Sequence, residues 1–157
     1  MNGDFGFKLE GVDELILKLK AVSRETANKG GRAALRKAAK IILDAAKDGA
    51  QRLDDPATAE DIEKNLVIRW NRKAFKRGDL ALRVGVLGGA GGNKKSEEFA
   101  GLPGKDTRHW RYLEFGTEKI PARPFMRPAL SNNVMKASDA FIQEYDKRLA
   151  RAIKRGA

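Results

Sequence analysis

The chain has 157 residues, of which 41% are hydrophobic and 34% charged, and 32 Lys and Arg against 21 Asp and Glu leave a net charge of +11. That length suits one domain, residues 1–157, with enough apolar surface for a core and too little chain for two ordinary domains. The absence of cysteine excludes disulfides, thiolate metal sites and a cysteine nucleophile, no apolar run approaches the ~20 residues of a membrane span, and the cationic excess invites nucleic acid or an acidic protein surface.

Met1-Asn2-Gly3-Asp4 lacks the basic stretch and apolar block of a secretory signal, so residence in a cytoplasm is the default expectation. From Asp4 to Glu10, Phe5, Phe7 and Leu9 alternate with Gly6 and Lys8, the period-two pattern of a short strand with one buried face. After Gly11, the residues Val12, Leu15, Ile16, Leu19 and Val22 recur at three and four. Asp13 and Glu14 stand in the first turn, and the pattern predicts an amphipathic helix. Gly30-Gly31 is expected to separate it from a second helix with the small-residue stripe Leu35, Ala38, Ile42, Ala45 and Gly49.

Asp54-Asp55-Pro56 breaks the chain, and Thr58 with Asp61 predicts a helical turn before Leu66. Leu66, Ile68 and Trp70 alternate on one predicted strand and Leu80, Leu82, Val84 and Val86 on the next, with Lys76-Arg77-Gly78-Asp79 between them. From Gly88 to Asp106 the chain turns to glycine, lysine and serine. Such a segment buries too little to offset its ordering entropy, so a mobile loop is expected, with Phe99 and Leu102 placed to anchor it on a partner. Trp110, Tyr112 and Leu113-Glu114-Phe115 read as a further strand, ended by Gly116-Thr117. A last helix is expected to start near Pro128, with Leu130, Val134, Ala137, Phe141, Tyr145, Leu149 and Ile153 as its apolar stripe. The order predicts an α+β domain: a small, mostly antiparallel sheet packed by an N-terminal helix pair and a long C-terminal helix.

Chemistry-bearing arrangements are sparse. His109 is the one histidine and lies in a basic stretch, where a solvated side chain is the expectation. No strand-to-helix nucleophile elbow supports a triad. Asp54-Asp55 and Glu60-Asp61 read as a turn and a helix start, and Gly88 to Gly92 lacks the Gly-Lys-Ser/Thr ending of a phosphate-binding loop. No catalytic residue, metal or cofactor is therefore expected. The rival reading is a basic nucleic-acid-binding protein without catalytic activity, because Arg69, Arg72, Lys73, Lys76 and Arg77 gather around Trp70 and Phe75. Trp70, in phase with Leu66 and Ile68, reads as core instead.

Tyr112-Leu113-Glu114-Phe115-Gly116-Thr117 and Ile120-Pro121-Ala122-Arg123-Pro124-Phe125-Met126-Arg127-Pro128-Ala129-Leu130 form the most informative stretch. Thr117 can satisfy local backbone groups, and Pro121, Pro124 and Pro128 stiffen the crossover into an elbow that aims the last helix. Glu114 has two readings: an ordinary solvent-facing acid, or a ring-interface acid paired with Arg123 or Arg127 of a neighbouring copy. As a string, the stretch resembles the Glu-Phe-Gly-Thr and Pro-Phe-Met-Arg-Pro-Ala motifs of a family of phage tail-component proteins typified by the tenth gene product of the lambdoid phage Hong Kong 97. The similarity extends to the helix start at Gly11 to Leu15 and the alanine-rich Arg32 to Ala50, with Gly88 to Asp106 the least matched part.

The resemblance implies a structural virion protein of a tailed bacteriophage. Its place would be in the head-to-tail connector or at the head-proximal tail end, in a neck, tail-completion or tail-terminator role. It implies partners in the form of further copies in a homo-oligomeric ring, neighbouring connector and tail proteins, and weak contact with DNA in the lumen. Localisation would be the virion, after assembly in the host cytoplasm. No catalytic residue belongs to the pattern. The matching residues Glu114, Phe115, Gly116, Thr117, Pro121, Pro124, Phe125, Arg127 and Pro128 are expected at the elbow and the subunit interfaces it supports.

Overall fold

The computed structural model describes residues 10–89 and 92–156; the strand expected from Asp4 to Glu10 lies outside them but for Glu10. Helix α1 (Val12–Lys20) is followed after a short turn by α2 (Arg24–Gln51), the 28-residue spine of the molecule. The expected break at Gly30-Gly31 is absent. Instead the helix begins at Ser23, whose hydroxyl accepts the Thr26 N–H at 3.2 Å, an N-cap placed just after the α1 turn. The two glycines are buried inside α2 because the last helix and the hairpin press on them: a Cβ on Gly30 would sit 3.1 Å from Tyr145 Cε2, and one on Gly31 2.7 Å from Leu80 Cδ1. Each glycine costs roughly 1 kcal/mol of helix propensity against alanine, and close packing overrides that cost. The Tyr145 hydroxyl donates to the Ala27 carbonyl at 2.8 Å across the same contact.

Asp61 caps the short α3 (Ile62–Asn65), accepting the Lys64 N–H, as the helical turn expected before Leu66 requires. The hairpin then forms as β1 (Leu66–Trp70) and β2 (Leu82–Val86), antiparallel with Ile68 opposite Val84. Its connection carries one helical turn, α4 (Arg72–Lys76), capped by Asn71, so β2 starts at Leu82 and Leu80 packs on α2. Among the described residues these two strands are the whole sheet.

The remaining elements are a 3-10 turn (Ser96–Phe99), α5 (Trp110–Phe115), α6 (Met126–Ser131) and α7 (Val134–Lys154). Residues 110–115, expected as a strand, are helical. A strand would put Tyr112 and Glu114 on one face, whereas Tyr112 is 59% exposed and Glu114 1%. Trp110, Leu113 and Glu114 turn inward at spacings of three and four, the helical period. The last helix starts near Pro128 as expected, but it breaks at Asn132-Asn133 into α6 and α7. Ala137, Tyr145 and Leu149 of the expected stripe are buried, while Leu130, Val134 and Ile153 remain exposed.

The architecture is α+β, with α1 and α2 on one side of the chain order and the long α7 closing it. Two core clusters result. Ala46, Ala50, Ile62, Leu66, Phe125 and Ala129 join the C-terminal half of α2 to α3, β1 and the elbow. Leu15, Ala34, Tyr145 and Leu149 join α1, the N-terminal half of α2 and α7.

Candidate functional site

The elbow between α5 and α6 is organised around one carboxylate. Glu114 is 1% exposed. Its Oε2 accepts the N–H groups of Phe125 (2.8 Å) and Met126 (2.9 Å), and its Oε1 accepts the N–H of Arg127 (2.9 Å) and Arg127 Nε (3.1 Å). These backbone donors are the unpaired N–H groups at the start of α6. Phe125 occupies the N-cap position and brings no side-chain oxygen, so an acid eleven residues upstream supplies the cap. Arg127 also donates through Nη2 to the Glu114 carbonyl, and its guanidinium lies 5.1 Å from the Phe115 ring centroid.

Burial by itself would push the Glu114 carboxyl up. The N–H groups of Met126, Phe125 and Arg127, with the Arg127 side chain, outweigh that and hold it below the usual glutamate value. The pairing of Glu114 with Arg127 is thus made within one chain. Neither the solvent-facing reading nor the pairing with a neighbour's arginine survives, because a carboxylate already accepting four bonds in a closed interior has no open side to offer a second subunit.

The rest of the crossover follows from short-range geometry. Gly116 ends α5 at φ 74° and ψ 177°, and a Cβ there would lie 2.8 Å from Ala122 N, so glycine is required on both counts. Thr117 Oγ1 accepts the Ile120 N–H at 3.0 Å, and Thr117 N donates to the Ile120 carbonyl at 2.8 Å, closing the 117–120 turn as its hydroxyl was expected to. Arg123 N donates to the Leu113 carbonyl at 2.7 Å. Phe125, 3% exposed, plugs into the core against Gly49. Pro121 and Pro124 are exposed and Pro128 half-buried in the first turn of α6.

Of the nine elbow residues expected from sequence, Glu114, Gly116, Thr117, Phe125 and Arg127 therefore have defined roles inside the fold. Phe115, 59% exposed, faces outward with Tyr112, also 59% exposed, and the nearby Ile120 is 50% exposed. Large apolar side chains in this concentration mark a contact surface more often than scattered single ones do.

A second tie, which the sequence did not signal, holds the 92–109 segment. Asn65 is fully buried. Its Oδ1 accepts the Gly104 N–H (2.8 Å) and its Nδ2 donates to the Lys105 carbonyl and to Thr107 Oγ1 (both 2.8 Å). Gly104 is confined further, since a Cβ there would meet the Asp61 carbonyl oxygen at 1.9 Å. Nearby, Arg108 pairs with Asp106 through Nε (2.8 Å) and Nη2 (2.7 Å), donates to the Lys94 carbonyl, and lies 4.4 Å from the Phe99 ring centroid. The Arg108 guanidinium holds the Asp106 carboxyl well below the usual aspartate range. Phe99, expected to reach a partner, is instead 5% exposed and anchors the loop to its own domain beside Gly88 and Leu102; Leu102 is half-buried in the same place.

His109 Nδ1 lies 3.5 Å from Glu60 Oε2 at the surface rather than beside Glu114. Among the described residues no group of three or more His, Asp or Glu is placed to hold a metal ion, and no helix is long and apolar enough to cross a membrane. The basic, aromatic face near the hairpin is already paired with itself: Arg32 lies over Phe75 at 4.3 Å and Arg36 over Trp70 at 5.8 Å. Those rings are partly occupied as stacking platforms.

Against known protein families, residues 13–116 match the family described as Bacteriophage HK97-gp10, putative tail-component. The match spans α1 to the end of α5. It contains the 88–106 segment, expected to match least, and stops where the proline-rich half of the elbow begins. Comparison with curated proteins and with solved structures finds no match.

Proposed function

The chain belongs to the HK97-gp10-like tail-component family, and from that premise we propose that it works as a ring-forming subunit at the head-proximal end of a phage tail, in a neck, tail-completion or terminator role. Membership supports a structural part in the tail, and the ring and its level are our reading. The observation that carries it is the outward face of the elbow. Tyr112 and Phe115, one turn apart on α5, and Ile120 on the following turn stay exposed while Glu114 on the same helix ties α5 to the start of α6. Rigid aromatic side chains on a fixed support lose little entropy on docking and suit a subunit interface. Pro121 and Pro124 extend the same surface without conformational freedom to lose.

In this reading the elbow residues divide their labour. Glu114, Gly116, Thr117, Phe125 and Arg127 build the support, and Phe115 with the prolines meets the next copy or a neighbouring tail protein. The loop rim at 92–98, with Lys94 and Lys95 exposed, reaches a different neighbour, and the net cationic surface meets DNA in the lumen only weakly. The test is the double variant Tyr112→Ser, Phe115→Ser. It is expected to keep the thermal midpoint of the parent while failing to complete tails in an assembly assay. Normal assembly by the folded double variant would overturn the assignment of this face.

A further inference from the structure

The outward face of the hairpin sets two arginines directly opposite each other. Arg69 pairs in register with Arg83, and opposed residues of an antiparallel pair turn their side chains to the same face. Like charges in that position cost stability. Both side chains are exposed, and among the described residues neither has a carboxylate partner. They border a groove of about 750 Å³ that also takes in Val67, Gly85, Leu87 and Lys94, and no acid lines it among the described residues. A Cβ on Gly85 would meet nothing within 4 Å, so the strand leaves an open notch beside the arginines. The residues outside the described set hold one acid side chain, Asp4, and one base, Lys8, and so cannot cancel three cations.

The chain carries the electrostatic complement elsewhere. Residues 54–63 hold five acids and no Lys or Arg. Asp54 and Asp61 are engaged at the start of α3, whereas Asp55 to Glu60 are all exposed. They form a tight turn: Asp55 Oδ1 accepts the Ala57 N–H at 2.9 Å, and the Asp55 carbonyl accepts the Thr58 N–H and the Thr58 hydroxyl, both at 3.1 Å. The turn is thus an acidic knob of short side chains with a set shape, which loses little entropy on docking. Among the described residues no ion pair joins knob to groove within one chain, since Glu60 lies by His109 and Asp61 by Lys64.

We propose that the 54–60 knob of one copy seats in the hairpin groove of the next, with Asp55 and Glu60 set among Arg69, Arg83 and Lys94. This rests on the ring reading above and names the contact between its subunits. A ring of more than two copies joined head to tail needs two different surfaces on each subunit that fit each other. Here one is a protruding acidic turn and the other a basic groove. Arginine suits the second role, because its guanidinium binds a carboxylate through two parallel hydrogen bonds, and a carboxylate set between two guanidiniums relieves their repulsion. Nucleic acid fits the groove less well, since its aromatic lining offers no open ring face for stacking bases: Phe99 is 5% exposed, and Arg36 lies over Trp70. The aromatic face of α5 is then left for a neighbouring tail protein.

Charge reversal in phage assembly tests this. The groove variant Arg69→Glu, Arg83→Glu repeats the parental like-charge pair with the opposite sign, and the knob variant Asp55→Asn, Glu60→Lys keeps an oxygen for the Ala57 N–H, so neither puts the fold at risk. Each is expected to keep the thermal midpoint of the parent and to lower the yield of completed tails at least about tenfold. One chain carrying all four substitutions is expected to recover the yield, because knob and groove are again of opposite sign. Parental yield from either variant would overturn the proposal, as would a loss that the four substitutions together do not recover. A defect confined to the groove variant, together with salt-sensitive DNA binding by the purified parent that this variant loses, would assign the groove to nucleic acid and overturn it equally. Electron microscopy of the tails separates this contact from the ring reading it rests on. A complete ring in both variants would overturn the contact alone, and no ring in the parent would overturn both.

Discussion

Two buried side chains each pin a loop to the helical body, and they do so with opposite electrostatics. Glu114 holds the start of α6 with an ionised carboxylate that only accepts, so every partner must donate: three backbone N–H groups and a guanidinium. Asn65 holds the 104–107 turn with a neutral amide that accepts once and donates twice. A buried carboxylate is costly unless fully bonded, and a helix N-terminus is one of the few places in a chain that presents several donors side by side. A buried amide needs mixed donors and acceptors, which an irregular turn supplies. The kind of polar residue at each tie therefore follows from the kind of backbone it must satisfy.

Removing each side chain separates the two. Glu114→Ala leaves the first N–H groups of α6 without acceptors and should cost about 3 kcal/mol, lowering the thermal midpoint by roughly 10 °C. Calorimetry of the folded chain measures this, and a loss under about 1 kcal/mol would mean that the cap contributes no more than a surface ion pair. Asn65→Ala should cost about 2 kcal/mol, with the loss concentrated in faster amide exchange from Gly104 to Thr107 and little change in α6. A variant that loosens α6 as much as the 104–107 turn would show that the two ties are not independent.

Acid sharpens the contrast further and is the smallest of the three effects near neutrality. The folded Glu114 carboxyl lies below its unfolded value of about 4.3, so its contribution is fully present above that pH and is lost as pH falls through the folded value. Chemical denaturation of the parent and of Glu114→Gln should therefore give a stability gap that is constant from neutrality down to about pH 5 and narrows below it. The gap between the parent and Asn65→Ala should stay constant over the same range. A Glu114→Gln gap that widens in acid would contradict the ionised clasp.

How far these ties could be seen in advance depends on their range. The helical turn before Leu66 and the hairpin alternation act over a few residues, so local pattern carries them, although Asp61 rather than Thr58 takes the cap. The Gly30-Gly31 break failed because the glycines answer to partners distant in sequence, Tyr145 against Gly30 and Leu80 against Gly31. Residues 110–115 alternate well enough to pass for a strand, and the inward turn of Trp110, Leu113 and Glu114 that makes them a helix depends on partners in α6 and the core. One signal was available: no Ser, Thr, Asp or Asn stands at the N-cap of α6, so its donors had to be met from elsewhere, and Glu114 is the acid inside the same motif. Asn65 gave no comparable sign, because nothing local distinguishes a buried asparagine from a turn asparagine.

The family match adds a different kind of evidence. It runs from α1 through the hairpin to Gly116, so membership rests on α1 through α5 more than on the proline-rich string that follows. The elbow remains important for a physical reason: it fixes the α5 face that the proposed interface uses.

The most direct measurement of the assembly role is electron microscopy of phage particles carrying a label on this subunit. The account predicts a closed ring of labelled copies at the head-proximal end of the tail. Label confined to another part of the particle, or mature infectious particles without the subunit, would contradict it.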